Sequence, residues 1–171
     1  PYADPLVSLA QWFCQLWAES LGKKFSLQGR IVNTGQTPVV ALGATDQHSQ
    51  AQLYLEGPKD KVIIFLCVER YRAHVKVPGK LKSYQPIDVL GDHDLGEILR
   101  AEQRGTERAL LQECCPSLKI LIPQIDAHTM GQTLYLLEAA TACAGGLYGI
   151  NPFDQPAVEA IKKFALETLE H

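Results

Sequence analysis

Several polar side chains occur at positions where they could move protons on a small substrate. His48 lies in the segment Asp46–Ser49, just after an apolar stretch and in the first turn of a predicted helix. The positive end of a helix disfavours an imidazolium, so the neutral ring can pass a proton near pH 7. Such a histidine can act as a general acid or base. The alternative is a surface or capping histidine.

Glu19 stands at the C-terminal end of another predicted helix, within the segment Glu-Ser-Leu-Gly-Lys of residues 19–23. The helix dipole opposes a carboxylate at this end, and apolar residues surround it in the sequence, which suits a base that shuttles a proton. A solvated glutamate paired with Lys23 at i,i+4 is the alternative.

A third segment, residues 149–162, combines a loop containing two prolines with the start of a helix. Gln155 and Lys162 are seven residues apart, so two helical turns place them on one face. Asp154 is a candidate cap for this helix. The alternative is a stiff helix entry with a solvated lysine.

Apolar periodicity and turn residues predict the elements that must position these groups. Helices are expected over 5–21, 46–56, 95–114, 126–146 and from about 154, and strands over 38–42, 61–68 and 118–122, with a loop over 26–37 and an edge strand near 75–77. Alternation of strands and helices predicts an α/β fold: a three-layer α/β/α sandwich with a mostly parallel, doubly wound sheet. The loops 43–49 and 123–128 follow strand ends, where functional groups gather in such sheets.

The three polar segments, in this order, resemble the C-terminal half of the phosphoglucose isomerase family. Residues 153–162 read Phe-Asp-Gln-x-x-Val-Glu-x-x-Lys and are similar to the family's C-terminal motif, while residues 46–49 and 19–23 resemble its Gln-His and Glu-Ser-x-Gly-Lys segments. The resemblance implies a SIS-type sugar-isomerase domain over residues 1–168. Residues 169–171 are interpreted as the remnant of an expression tag.

The resemblance also implies roles for the polar residues. Glu19 would move a proton between C2 and C1 of a hexose 6-phosphate through a cis-enediol, and His48, from the neighbouring subunit of a homodimer, would assist opening of the sugar ring. Lys162 would lie on the ring-oxygen side and Gln155 would hold the substrate. No cofactor is implied, and no glycine-rich nucleotide-binding loop occurs in the sequence.

Two departures from the family pattern stand out. Ala157 occupies the place of a glycine in the C-terminal motif. The N-terminal half of the family, with a Gly-Gly-Arg segment and a Ser/Thr-rich phosphate loop, is missing, and Arg30, Arg70 and Arg72 lie in no such context. We therefore expect the chain alone to have little or no activity.

Composition excludes other classes of protein. Sixteen basic and nineteen acidic residues in 171 give a net charge of −3, which argues against a nucleic-acid or polybasic membrane binder. The longest apolar run, residues 62–68, has the length of a strand. Five cysteines without C-x-x-C spacing favour a reducing, cytoplasmic setting over a zinc site.

Two further hypotheses about function remain open. One is a noncatalytic SIS-type module that binds a phosphosugar or mediates dimerisation. The other is a generic α/β domain, in which Glu19 and Lys162 would share no crevice.

Overall fold

The computed structural model describes residues 1–169, apart from the side chains of residues 81 and 82, and it divides the chain into two compact units. Unit 1 comprises Pro1–Ala10 and Val40–Thr133, and unit 2 comprises Gln11–Val39 and the described residues from Leu134 onward. The helices and strands are α1 (Val7–Leu21), β1 (Lys23–Phe25), β2 (Ile31–Thr34), α2 (Gln47–Glu56), β3 (Ile63–Val68), α3 (Leu95–Gln112), β4 (Ser117–Ile122), α4 (Ala127–Tyr148) and α5 (Pro156–Leu169).

Unit 1 contains a parallel sheet formed by β3 and β4. Ile63 lies opposite Ser117 and Val68 lies opposite Ile122, with α3 as the crossover helix between the two strands. Parallel neighbours need such a crossover, because a short turn can join only antiparallel strands. The predicted α/β class with parallel pairing is confirmed, and within the described residues this sheet has two strands.

Helices cover both faces of this sheet. Side chains alternate along β3, so Phe65 and Cys67 point to one face while Leu66 and Val68 point to the other. The first face packs against Leu99 and Leu110 of α3 and Tyr54 and Leu55 of α2, and the second packs against Ala10 of α1 and Met130 of α4. An unbroken apolar strand predicts burial on both faces, and the layered α/β/α arrangement follows from it.

Two predictions about strands are wrong. Residues 38–42 form no strand in the described chain; beside them, Gly43 N–H donates to the Pro1 carbonyl at 2.9 Å. Apolar character alone does not make a strand, which needs backbone partners along its length. Conversely, the predicted loop over 26–37 contains β2, which pairs antiparallel with β1. Near residues 75–77 the structure shows one isolated bridge, from Lys76 to Asp94.

The helix predictions agree with the structure to within a few residues. None of the helices in the described part of the chain is long and apolar enough to cross a lipid bilayer. Of the three residues interpreted as a tag remnant, Leu169 ends α5, and Glu170 and His171 lie outside the described residues.

Asp126 caps α4 from the position directly before the first residue of the helix. Its Oδ1 accepts a hydrogen bond from Thr129 N–H at 2.8 Å, and this bond is the main cause that lowers the pKa of Asp126 from 3.8 to about 2. A lowered pKa stabilises the fold above pH 3.8, and this contribution is lost as the pH falls through 2.

We expect Asp126→Ala to lower Tm by a few degrees at pH 7 and by much less at pH 2, measured by circular dichroism. Glu138→Gln, on the exposed side of the same helix, should leave Tm unchanged at both values; equal losses from Asp126→Ala at pH 7 and pH 2 would contradict the role of its charge.

Candidate active site

Both carboxylate oxygens of Glu19 accept hydrogen bonds from glutamine amides. Gln15 Nε2 donates to Oε1 at 3.1 Å from one turn earlier on α1, and Gln155 Nε2 donates to Oε2 at 3.1 Å from the loop before α5. The side chain is half-buried. The carboxylate is thus held in one orientation and remains open to a small substrate.

The end of α1 is fixed by the residues that follow Glu19. Lys23 Nζ donates to the carbonyl oxygen of Glu19 at 2.8 Å, which satisfies an acceptor that the helix leaves free. Gly35 packs closely here: a Cβ on it would lie 2.9 Å from the Cα of Gly22, and its φ of +120° favours glycine. The alternative prediction, an ion pair between the Glu19 and Lys23 side chains, is replaced by this contact with the backbone.

The loop that carries Gln155 is shaped by Asn151. Phe153 N–H donates to Asn151 Oδ1 at 3.1 Å, and Asn151 Nδ2 donates to Asp154 Oδ2 at 3.0 Å. These side-chain bonds form an Asx-type turn, which sets the direction of the chain before the helix. Helix α5 begins at Pro156, two residues later than Asp154, and the Asp154 carboxylate contacts Asn151 and Lys23.

Lys162 lies on α5 and is exposed. Its Nζ donates to Glu159 Oε1 at 2.7 Å, three residues earlier on the same helix. An exposed pair of this kind contributes little to stability, so the ammonium is held only weakly by Glu159.

His48 is exposed in the first turn of α2, in unit 1, whereas Glu19, Gln155 and Lys162 belong to unit 2. The neighbouring Gln47 fixes this turn, because its Nε2 donates to the hydroxyl oxygens of Tyr2 and Thr106, each at 2.6 Å. Asp46 precedes the helix, and a hydrogen bond from Leu42 N–H is the main cause that lowers the pKa of its carboxyl. His48 therefore projects from a well-anchored helix start.

Besides Gln155, two residues contact Glu19 in ways that the sequence did not predict: Gln15 and Lys23. Gln15 could have been found, since it lies four residues before Glu19 on a predicted helix and so shares its face. The sequence predicts that Lys23 lies near the negative end of this helix and offers it as a partner for the Glu19 carboxylate, but it does not predict the hydrogen bond to the Glu19 carbonyl oxygen.

No group of three or more His, Cys, Asp or Glu side chains that could hold a metal ion occurs among the described residues. An open cavity of about 650 Å³ in unit 1 is lined by Asp88, Val89, Gly91, Asp92 and His93, and none of the candidate residues contributes to it. The candidate site is therefore built around the Glu19 carboxylate.

The parallel sheet with helices on both faces defines the class of the fold as α/β, and the Glu19 carboxylate is held by two amide donors. The family model "Phosphoglucose isomerase" matches residues 100–171. Glucose-6-phosphate isomerase from Carboxydothermus hydrogenoformans is 50% identical over 95% of this chain and 35% of its own length. A probable glucose-6-phosphate isomerase from Methanococcus maripaludis is 45% identical over 99% of this chain and 36% of its own length.

Solved structures agree with these relatives. A hypothetical protein from Thermus thermophilus superimposes with a TM-score of 0.89 and 34% identity, covering 99% of this chain and 40% of that one. A glucose-6-phosphate isomerase from Chlamydia trachomatis gives a TM-score of 0.81 at 22% identity, covering 99% of this chain and 34% of that one, and supports the fold. The resemblance expected from the sequence is confirmed: the chain is related to the phosphoglucose isomerases, and it spans about a third of the length of the curated relatives it matches.

Proposed function

We propose that this chain is the C-terminal part of an aldose–ketose isomerase that interconverts glucose 6-phosphate and fructose 6-phosphate in glycolysis and gluconeogenesis. The observation that carries the proposal is the hydrogen bond from Gln155 to the Glu19 carboxylate, which joins two motif segments 136 residues apart. The names of the related proteins support the substrate class.

Glu19 is the base in this reaction. Its carboxylate removes the proton from C2 of the open-chain aldose, the electron pair of the C2–H bond forms the C1–C2 double bond, and the C1 carbonyl oxygen gains a proton. The product is a cis-enediol. Glu19 then returns its proton to C1 while the C2 hydroxyl loses its proton and becomes the ketose carbonyl. The C1 oxygen keeps the electron pair of its former double bond and takes a proton from water, and the C2 hydroxyl later releases one proton to water. The numbers of protons and electrons are therefore unchanged overall, so the reaction requires no redox cofactor.

The other candidate residues serve the ring and the substrate contacts. His48 passes a proton during ring opening, and Lys162 places positive charge on the ring-oxygen side. Gln155 donates hydrogen bonds both to the Glu19 carboxylate and to a substrate hydroxyl. The part of the parent that lies outside this chain supplies the phosphate-binding loop and an arginine for the enediolate.

We also propose that the parent is a homodimer in the cytoplasm, with His48 supplied by the neighbouring subunit. Helix α5 has no buried residue in its described length, and Ile161 and Phe164 on it are 68% and 63% exposed. An exposed apolar surface of this kind indicates an interface. Either the rest of the parent or a second subunit would bury it. The unpaired cysteines fit a reducing compartment.

An isomerase assay on the full-length parent tests the proposed function. Fructose 6-phosphate formed from glucose 6-phosphate should be detected by a coupled assay at enzyme-like rates. A folded parent that binds the sugar phosphate without converting it would instead support the noncatalytic module.

The subunit arrangement predicts complementation between two inactive variants. His48→Ala and Glu19→Gln parents should each lose most of their activity, by about 10²-fold or more. When they are unfolded and refolded together, half of the dimers are hybrids with one intact site of two, so about a quarter of wild-type activity should return. Each variant refolded alone is the control. Failure of the mixture to exceed both controls, although hybrid dimers are seen by mass spectrometry, would contradict a site shared between subunits.

A further inference from the structure

Lys23 is a buried lysine to which the proposed mechanism assigns no role. Its side chain is 5% exposed, which is rare for lysine because its ammonium is strongly hydrated. It lies at the first position of β1, next to the exposed Lys24. A buried ammonium of this kind needs partners that replace water.

The partners of Lys23 belong to both segments that meet at Glu19. Its Nζ donates to the Glu19 carbonyl oxygen at 2.8 Å and lies 3.8 Å from Asp154 Oδ1. Asp154 directly precedes Gln155, whose amide donates to the Glu19 carboxylate. We call these two contacts of Nζ the Lys23 bridge. One ammonium therefore connects the backbone of the base to the residue beside the substrate-holding glutamine.

Electrostatics is consistent with this arrangement. Burial lowers the pKa of the Lys23 ammonium, and the negative charge of Asp154 acts in the opposite direction. The C-terminal end of α1 carries partial negative charge, which a cation stabilises. The contact with Asp154 needs the charged ammonium, and the hydrogen bond to the Glu19 carbonyl oxygen is stronger from the charged form.

We propose that Lys23 is a positioning residue of the isomerase site: the Lys23 bridge sets the distance between the Glu19 carboxylate and Gln155, and thereby the approach of the base to the substrate. The inference rests on the proposed function. It assigns no proton transfer to Lys23, since its contacts are with protein groups. A misplacement of about 1 Å at a base can cost about 10²-fold in rate.

The test compares Lys23→Met with Lys24→Met in the full-length parent. Methionine keeps the apolar stem and removes the ammonium, and Lys24 is the matched exposed neighbour in the same strand. Lys23→Met should lower kcat by about 10- to 100-fold, while Lys24→Met should leave it unchanged. With glucose 6-phosphate deuterated at C2, the isotope effect on kcat should be larger for Lys23→Met than for wild type, because proton removal by the displaced base becomes slower than the other steps.

Asp154→Asn provides a second test that keeps the buried Lys23 in place. The Asp154 side chain is 52% exposed, so the fold should tolerate this substitution. It should lower kcat several-fold and raise the isotope effect in the same direction, even if Lys23→Met fails to fold. If the wild-type parent is active and Asp154→Asn shows the same kcat and isotope effect as Lys24→Met, the inference is overturned. The proposed function is then left intact. A wild-type parent without isomerase activity would reject the proposed function itself.

Discussion

Replacing Glu19 by Gln in the full-length parent is expected to lower kcat for the isomerisation of glucose 6-phosphate by about 10²- to 10⁴-fold. The amide has nearly the same shape as the carboxylate, but it cannot accept a proton from C2. Because Gln15 and Gln155 both donate to the carboxylate, an amide at position 19 can keep one of these hydrogen bonds through its oxygen. KM should therefore change much less than kcat.

Glu56→Gln is the matched control for this substitution. Glu56 also ends a helix and accepts a hydrogen bond from a glutamine four residues earlier, with Gln52 Nε2 at 2.8 Å from Oε2. The same chemical change at this exposed carboxylate should leave kcat at the wild-type value. A near-normal kcat in Glu19→Gln, with Tm within a degree or two of the wild type, would contradict the assignment of Glu19 as the base.

The 171-residue chain on its own is expected to show isomerase activity at least about 10³-fold below that of the full-length parent. Loss of one oxyanion donor costs about 10²- to 10³-fold, and loss of the phosphate-binding loop removes the anchor that orients the sugar. Equal molar amounts of the chain and the parent are compared in the same coupled assay. A purified chain with activity within tenfold of the parent would contradict the assignment of essential groups to the part of the parent outside this chain.

A complementary measurement separates missing groups from misfolding. Circular dichroism of the chain should show the helix content that the structure describes, with cooperative melting. Addition of the N-terminal part of the parent as a separate polypeptide should raise the activity of a folded chain, because it supplies the arginine and the phosphate loop. Unchanged activity from a mixture that forms the complex would contradict the same assignment.

Motif segments in the sequence predicted the candidate residues, and the structure brings together only some of them. Glu19 and Gln155 are in direct contact, as expected for parts of one site. Lys162 is on the expected helix, but its hydrogen bond goes to Glu159. The roles of His48 and Lys162 in catalysis remain predictions, and the complementation experiment tests the first of them.

The strands show why the fold was only partly predictable. β3 was evident because a strand buried on both faces needs an unbroken apolar run. The segment 38–42 has similar apolar character but pairs with no strand in the described chain, whereas β1 and β2 pair through residues that resemble a polar loop. Pairing is a property of two segments, so a pattern within one of them does not decide it.

The sequence by itself predicted the α/β class and the positions of the helices, because periodicity is a local property of the chain, and its resemblance to the phosphoglucose isomerases singled out Glu19 as the candidate base. Only the tertiary structure decided which groups hold that base. Gln155 is 136 residues from Glu19, and the buried Lys23 donates to the Glu19 carbonyl oxygen instead of the carboxylate. Such contacts depend on how distant segments pack. A cation that packing removes from water needs hydrogen-bond partners in the protein to replace the water.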